Sequence, residues 1–394
     1  MKSKKNKWIK PRHKFFTELL RPIFTLFLFF KYGYKIKKSK VDNNQNYLII
    51  CNHAATLDPF MLGLSFPFPI YYVASEDLLK NKIVSKVLSY ALAPIPIKKG
   101  ITDLVCIKRC INISKEGGSI AIFPEGNRTY SGELLKLDIS IVKLIRLLKI
   151  PLILYHIEGG YGIDPRWGNK GRKSNGAYGT IRKILTIDEI QKLSDEELLK
   201  IVEHEISYKD DNILIYKSRR KAEYLERILF VCPSCLSLET ITSHKNKIKC
   251  TNCLLECNYN ESLKLTFNDE KVHFTQVSDW MNFQRDFVRK LDIKDDSVLL
   301  SDKNVELIYV PINSNKEKIN YGKLIMYSDR FELIGKNTNI FYFKDISEVV
   351  NQGKHKVLFY IGNEYYQFKG LPRFSSYKYY LMFQKIQTKF DHLL

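Results

Sequence analysis

The sequence predicts an α/β domain followed by a four-cysteine ribbon and a strand-rich module, and three observations predict that order. From residue 46 the short apolar runs "YLIIC", "IYYVAS", "APIPIKK", "SIAIFPEG" and "IPLILYHI" alternate with helical stretches, the pattern of an α/β sheet. Two Cys-x-x-Cys pairs, "CPSC" at 232–235 and "CTNC" at 250–253, then follow with 14 residues between them. Beyond residue 262 strands joined by hairpin turns take over, and an apolar-periodic helix over about 373–390 closes the chain. With 394 residues and 45% hydrophobic content, the chain can bury more than one core.

The formal charge of +21 is unevenly spread. Residues 1–48 carry thirteen Lys or Arg against Glu18 and Asp42, about half of the whole excess. The same end holds "FFTELLRPIFTLFLFFKYGY", which Glu18, Arg21 and Pro22 interrupt too often for a spanning helix of roughly 20 apolar residues. An apolar face with a basic flank suits a helix lying on an anionic membrane surface, and residues 1–40 are read that way. No small-residue cleavage site follows "FLFF", so the segment is expected to be retained.

The run "NYLII" at 46–50 reads as a buried strand, which sets His53 just past its carboxyl end, where open α/β sheets hold their ligands. Asp58 before Pro59 reads as the N-cap of a helix over 59–66. Further helices are expected over 81–92, 102–116 and 134–149. The run "SDEE" at 194–197 is a capping-box start for a helix to about 207, and "KSRRKAEYLERI" reads as a second, charged helix. The first domain is expected to close near residue 228.

Eight cysteines in a chain of this length do not make a secreted disulfide scaffold, and a reducing compartment fits them better. Cys232, Cys235, Cys250 and Cys253 have the spacing of two knuckles presenting four thiolates to one tetrahedral Zn2+, a structural site with no open position. Disulfides or a redox Cys-x-x-Cys are the alternatives. Cys257 lies near enough to exchange as a ligand, but regular pair spacing favours Cys253. Cys51, Cys106 and Cys110 sit in apolar surroundings and read as core.

A second motif, "FPEGNRTY" at 123–130, directly follows the strand "SIAI". Together with "NHAATLD" it resembles the glycerophospholipid acyltransferase family, whose four sequence blocks all occur here in order over roughly residues 10–210. The resemblance implies a mixed central sheet flanked by helices. It also implies transfer of a fatty acyl group from acyl-CoA or acyl carrier protein to a lysophospholipid hydroxyl, as in lysophosphatidic acid. His53 would be the general base and Asp58 the group that fixes its tautomer and stabilises the imidazolium. Glu125 and Arg128 would bind the acceptor, the guanidinium gripping two phosphate oxygens. Gly126 would let the backbone approach the substrate and lend its N–H to the oxyanion. In the second block Ala93 stands for the family's Gly and Lys99 for its phosphate-binding Arg, which keeps the charge but loses the fork. Asn127 replaces Thr or Ser in the third block, and Tyr155 replaces the second proline of the fourth.

Singly, His53 reads as a structural histidine, Asp58 as a cap and Arg128 as a surface charge; block order and strand context favour catalysis. Asn52 reads as a hydrogen-bonding residue beside the base. A zinc-ribbon nucleic-acid-binding protein is the alternative drawn from net charge and pI. It is set aside, with no nucleic acid expected, because much of the basic excess flanks an apolar helix and the ribbon is only mildly basic. A non-catalytic lipid-binding scaffold is disfavoured by the presence of His53, Asp58, Glu125 and Arg128. The resulting division is a membrane-associating segment over 1–40, an acyltransferase domain over 41–228, a zinc ribbon over 229–260, and a C-terminal module over 261–394 that resembles a pleckstrin-homology or GRAM-type fold. The protein is expected on the cytoplasmic face of the membrane, peripheral or monotopic.

Overall fold

The computed structural model describes residues 8–75, 89–97, 103–208, 214–311, 316–362 and 364–391. Most of the helix expected over 81–92, and the expected phosphate ligand Lys99, lie outside the described residues. The chain divides into two compact units, Met1–Pro165 with Gly171–Lys217, and Arg166–Lys170 with Ser218–Leu394.

In the first unit, helix α1 (Pro11–Tyr32) precedes β1 (Leu48–Cys51), α2 (Asp58–Ser65), β2 (Ile70–Ser75), β3 (Ile95–Ile97), α3 (Leu104–Lys115) and β4 (Ser119–Ile122). Then come α4 (Ser140–Leu148), β5 (Leu152–Glu158), the single turn α5 (Gly160–Ile163), β6 (Lys173–Ser174), β7 (Tyr178–Leu185), α6 (Ile187–Lys192), α7 (Asp195–Ile206) and β8 (Tyr216–Lys217). The sheet order is β3-β2-β4-β1-β5-β7, parallel except for β7, which runs antiparallel to β5. Every residue of β1 and β4 is buried, as continuous apolar strands covered on both faces should be. Alternation sorts them: Leu48, Ile50, Leu152 and Leu154 meet Cys110, Val142, Ile145, Leu198 and Val202, while Tyr155 packs on Phe66. Cys51, Cys106 and Cys110 are core residues, as read from the sequence.

Helix α1 uses its two sides differently. Phe24 stacks on Phe60 of α2 with centroids 4.5 Å apart, His13 and Leu28 are buried, and Arg21 donates to the Leu64 carbonyl. Phe15, Leu19, Ile23, Leu26 and Phe30, spaced by three or four residues along one stripe, are all more than half exposed. Among the described residues no helix is long and apolar enough to cross a membrane.

The sites depend on what happens at the carboxyl ends of β4, β1 and β5, three adjacent parallel strands. Cα register pairs Ile50 with Ile122 and Cys51 with Tyr155, so the loops leaving the three strands emerge side by side. Asn52 extends the β1–β5 pairing by one rung: its Nδ2 donates to the Ile157 carbonyl at 3.0 Å and its Oδ1 accepts from the Ile157 N–H at 2.8 Å. An amide is the one side chain that copies both halves of a peptide unit, which is why Asn suits this buried position.

The second unit contains β9 (Ile241–His244), β10 (Lys247–Cys250), β11 (Glu256–Tyr259) and β12 (Leu265–Phe267) as one antiparallel sheet. Helix α8 (Val277–Lys290) follows, then β13 (Val298–Tyr309), β14 (Glu317–Tyr327), β15 (Arg330–Ile334), β16 (Thr338–Tyr342), β17 (Glu348–Gln352), β18 (Lys356–Ile361), β19 (Glu364–Lys369) and α9 (Ser376–Asp391). The seven strands from β13 form a second sheet in the order β16-β15-β14-β13-β19-β18-β17.

Two sequence expectations are corrected. "KSRRKAEYLERI" is not a helix: Tyr224 takes φ +80°, and only Leu225–Arg227 makes a 3-10 turn. Its N–H groups go instead to the cysteine-bearing segment, Lys221 to Asn246 Oδ1 and Ala222 to the Lys245 carbonyl. Helix α8 was read as strand texture, yet it packs Trp280 and Gln284 against the chain leading into the first cysteine pair, Trp280 donating to the Val231 carbonyl at 2.8 Å.

Candidate active site and four-cysteine cluster

His53 stands two residues past the end of β1 and is about one fifth exposed. Its Nδ1 lies 2.8 Å from Asp58 Oδ2, which is fully buried and also accepts from the backbone N–H groups of Ala54 at 2.7 Å and Ala55 at 2.8 Å. A carboxylate holding two N–H donors leaves its third approach to a donor, so in the neutral ring the proton belongs on Nδ1 and Nε2 is left as the acceptor. The spacing of His53 and Asp58 is therefore a closed loop in which the aspartate gathers the four residues before α2 around itself. This corrects the expectation of a cap: Leu57 occupies the N-cap position without a side-chain bond, and Asp58 is the first helical residue, its carboxylate turned back into the loop. Gly160 leaves room for that carboxylate, since a Cβ there would lie 3.3 Å from Asp58 Oδ1.

The loop leaving β4 locks His53 from the other side. The His53 N–H donates to Glu125 Oε1 at 2.6 Å, the Thr129 N–H donates to the His53 carbonyl at 3.1 Å, and the Phe123 ring stacks on the imidazole with centroids 4.5 Å apart. Glu125 also accepts from the Leu135 N–H at 3.2 Å. Glu125 thus touches the backbone of the loop that carries His53 and is itself buried. Gly126 has φ +64° with open space where a Cβ would stand, so the backbone conformation, not crowding, demands glycine there. Its N–H donates to the Phe123 carbonyl at 3.2 Å and closes the turn. Ala93, at the position where the resemblance calls for Gly, has φ +44°, the left-handed region that glycine enters without strain.

Arg128 comes to the same cleft but meets a residue the sequence reading missed. Its Nη1 lies 3.2 Å from both the carbonyl and Oδ2 of Asp164, and that Oδ2 also accepts from the Thr56 N–H at 3.0 Å and hydroxyl at 2.6 Å. Asp164 is delivered by the tight turn after β5, where Gly159 takes φ +82° and a Cβ would meet Ala177 and Leu214 below 3 Å. The sequence signal was the run "EGGYGID" after the fourth block, whose glycines mark a close approach.

The sulfurs of Cys232, Cys235, Cys250 and Cys253 lie within 4.8 Å of one another, with Cys232–Cys253 at 3.6 Å and Cys235–Cys250 at 3.8 Å. Zn–S bonds of about 2.3 Å put tetrahedral sulfurs about 3.8 Å apart, so this donor set fits the ion, and the separations are far beyond a disulfide bond. Cys257 is buried in β11 and stands outside the cluster.

Burial pushes the Glu125 carboxyl up to about 8 from its ordinary 4.5, against the pull of its two N–H donors. A raised carboxyl favours the folded chain while protonated. Its contribution is full below about 4.5 and is lost as pH rises toward about 8. Denaturant unfolding should therefore show stability falling with pH across that window by up to about 1.4 kcal/mol per pH unit from this group, and Glu125→Gln should flatten the slope.

Residues 34–156 match the family model described as Acyltransferase. The 1-acyl-sn-glycerol-3-phosphate acyltransferase of Bacillus subtilis is 29% identical over 149 residues, 37% of this chain and 71% of that protein. The protein of the same description from Borreliella burgdorferi is 25% identical over 181 residues, 44% of this chain and 70% of that one. The crystal structure of the 1-acyl-sn-glycerophosphate (LPA) acyltransferase, PlsC, from Thermotoga maritima is 21% identical, covering 49% of this chain and 76% of that chain with a TM-score of 0.41. The matched segment runs from the end of α1 through most of β5 and holds His53, Asp58, Glu125 and Arg128, and the sequence comparisons support the acyltransferase family for it.

Proposed function

We propose that this chain transfers a fatty acyl group from a thioester, on coenzyme A or acyl carrier protein, to the free hydroxyl of a lysophospholipid such as lysophosphatidic acid. The observation that carries the reading is the His53–Asp58 pair at 2.8 Å, set beside Glu125 and Arg128 at the ends of adjacent strands. The names of the Bacillus and Borreliella relatives support the acceptor class. His53 Nε2 takes the hydroxyl proton as the acceptor oxygen attacks the thioester carbon. The tetrahedral intermediate then expels the thiolate, and the imidazolium returns the proton to sulfur, leaving an ester and a thiol. Asp58 stabilises the imidazolium between the two steps. Glu125 holds the base's backbone, and Arg128, with Lys99, offers cationic charge to the acceptor's phosphate.

We read the exposed stripe of α1 as the face that lies on an anionic membrane, which makes the protein peripheral or monotopic, on the cytoplasmic side. The four cysteines we read as a structural zinc ribbon that shapes residues 229–260 and takes no part in the chemistry. Seven antiparallel strands closed by α9 support a pleckstrin-homology or GRAM-type module over 261–394.

Purified protein incubated with labelled acyl-CoA or acyl carrier protein and a panel of lysophospholipids should form diacyl product. His53→Ala should lower turnover by about 10²–10⁴-fold with folding intact. Asp58→Asn should cost nearly as much, because an amide can neither stabilise an imidazolium nor accept from three donors. No turnover with any donor and acceptor would overturn the reading.

Replacing Leu19, Ile23 and Phe30 by Glu leaves the buried side of α1 intact and should reduce binding to anionic vesicles at least tenfold, while neutral vesicles bind weakly throughout. Fresh protein should contain one zinc per chain by metal analysis. Cys250→Ser should lose it and speed hydrogen exchange over 230–260 while leaving acyl transfer measurable.

A further inference from the structure

The donors around Asp164 Oδ2 are a guanidinium, a backbone N–H and a hydroxyl, converging on one oxygen at 2.6–3.2 Å. Such a set suits the oxygen of a phosphate as well as that of a carboxylate. One of its members, Arg128, is the residue read above as the acceptor's phosphate ligand. Another, Thr56, sits in the loop between His53 and Asp58. Both sides of the ion pair are about one fifth exposed, so an arriving anion can reach it from solvent.

We propose that Asp164 stands in for the acceptor's phosphate in the empty enzyme: binding hands Arg128 and the Thr56 donors from the aspartate to the phosphate, and the displaced carboxylate moderates how strongly phosphomonoester acceptors are preferred over phosphodiester ones. The inference rests on the acyltransferase reading for its substrate and adds to it the residue that moderates headgroup choice. A phosphomonoester carries about −1.5 to −2 charges at neutral pH and outbids a single carboxylate for Arg128. A phosphodiester carries only one, gains less from Arg128, and is also repelled less by the displaced carboxylate, which therefore offsets part of the arginine's preference for the monoester. Asp164 is a positioning and specificity residue and touches none of the reacting atoms. Because Thr56 lies between the base and its aspartate, the exchange also places the headgroup in register with the loop that carries His53.

The test is Asp164→Asn in the full chain. An Asn oxygen still accepts from Thr56, so the loop stays tied, but the internal anion is gone. The KM for a lysophosphatidate acceptor should fall about three- to tenfold, the size expected for losing a partly exposed charge competitor, with kcat little changed. The preference for monoester over diester acceptor, as a ratio of kcat/KM, should widen, because the lost carboxylate repelled the more highly charged phosphate more. Calorimetry should show inorganic phosphate binding more tightly than to wild type. Thr56→Val, which removes a donor and keeps the carboxylate, should move the acceptor KM the opposite way and serves if Asp164→Asn fails to fold. An unchanged or raised KM in Asp164→Asn, with phosphate binding no tighter, overturns the proposal and leaves Asp164 a plain structural tether. Tighter phosphate binding in a chain that acylates no acceptor would sink the acyl-transfer reading and leave the exchange standing.

Discussion

The buried carboxylate of Asp58 is the constraint on which the site depends. A charge without solvent costs several kcal/mol unless it is paired and hydrogen-bonded, and one oxygen of Asp58 gathers His53 Nδ1 and two backbone N–H groups. Meeting that demand coils four residues into a tight loop, fixes the imidazole's tautomer and starts α2 in one stroke. The loop has little freedom left, because Asn52 ties its entrance to β5 while Glu125 and Thr129 hold the base's own peptide groups. His53 is thus positioned by backbone bonds on both sides and by an aromatic ring against its face, the rigid support that the general-base role proposed above needs.

Three adjacent strand ends share the labour. β1 brings His53 and Asp58, β4 brings Glu125 and Arg128, and β5 brings the turn that presents Asp164. Parallel register makes this possible: residues just beyond Cys51, Ile122 and Glu158 are neighbours whatever their distance along the chain. Burial gives the pieces distinct tasks. Asp58 and Glu125 are both enclosed carboxyls near one histidine, yet the first takes three N–H donors and the second two, and burial drives Glu125 toward its neutral form.

What could be read from the sequence followed the range of each interaction. His53 and Asp58 were legible because they pair within one short motif, Glu125 and Arg128 only as members of a second motif, since their partners His53 and Asp164 lie 72 and 36 residues away, and β1, β4 and β5 were legible because doubly covered strands are continuous apolar runs. Asp164 and Thr56 meet across 108 residues, and only the adjacency of β5 and β1 joins them. The role of Asp58 was half legible. An Asp before Pro suits a cap, and nothing local says that the loop behind it needs the carboxylate more than the helix does. The charged run over 217–228 imitates a helix in composition, but its backbone is claimed by distant partners at Lys245 and Asn246, which override propensity. Helix α8 was hidden for a related reason: its buried Gln284 and its many polar residues dilute the apolar period.

The stack of Phe24 on Phe60 has a consequence for how substrate and site find each other. Phe60 lies two residues from Asp58, so the helix bearing the apolar stripe is fastened almost directly to the catalytic loop, with about 8–10 Å expected between the two axes. A membrane laid against the far side of α1 would hold His53 at a set height above it. The acceptor would then remain seated among its neighbours, and catalysis would respond to its mole fraction in the surface instead of its bulk molarity. Encounter becomes a search in two dimensions, with the fold itself acting as the gauge of depth.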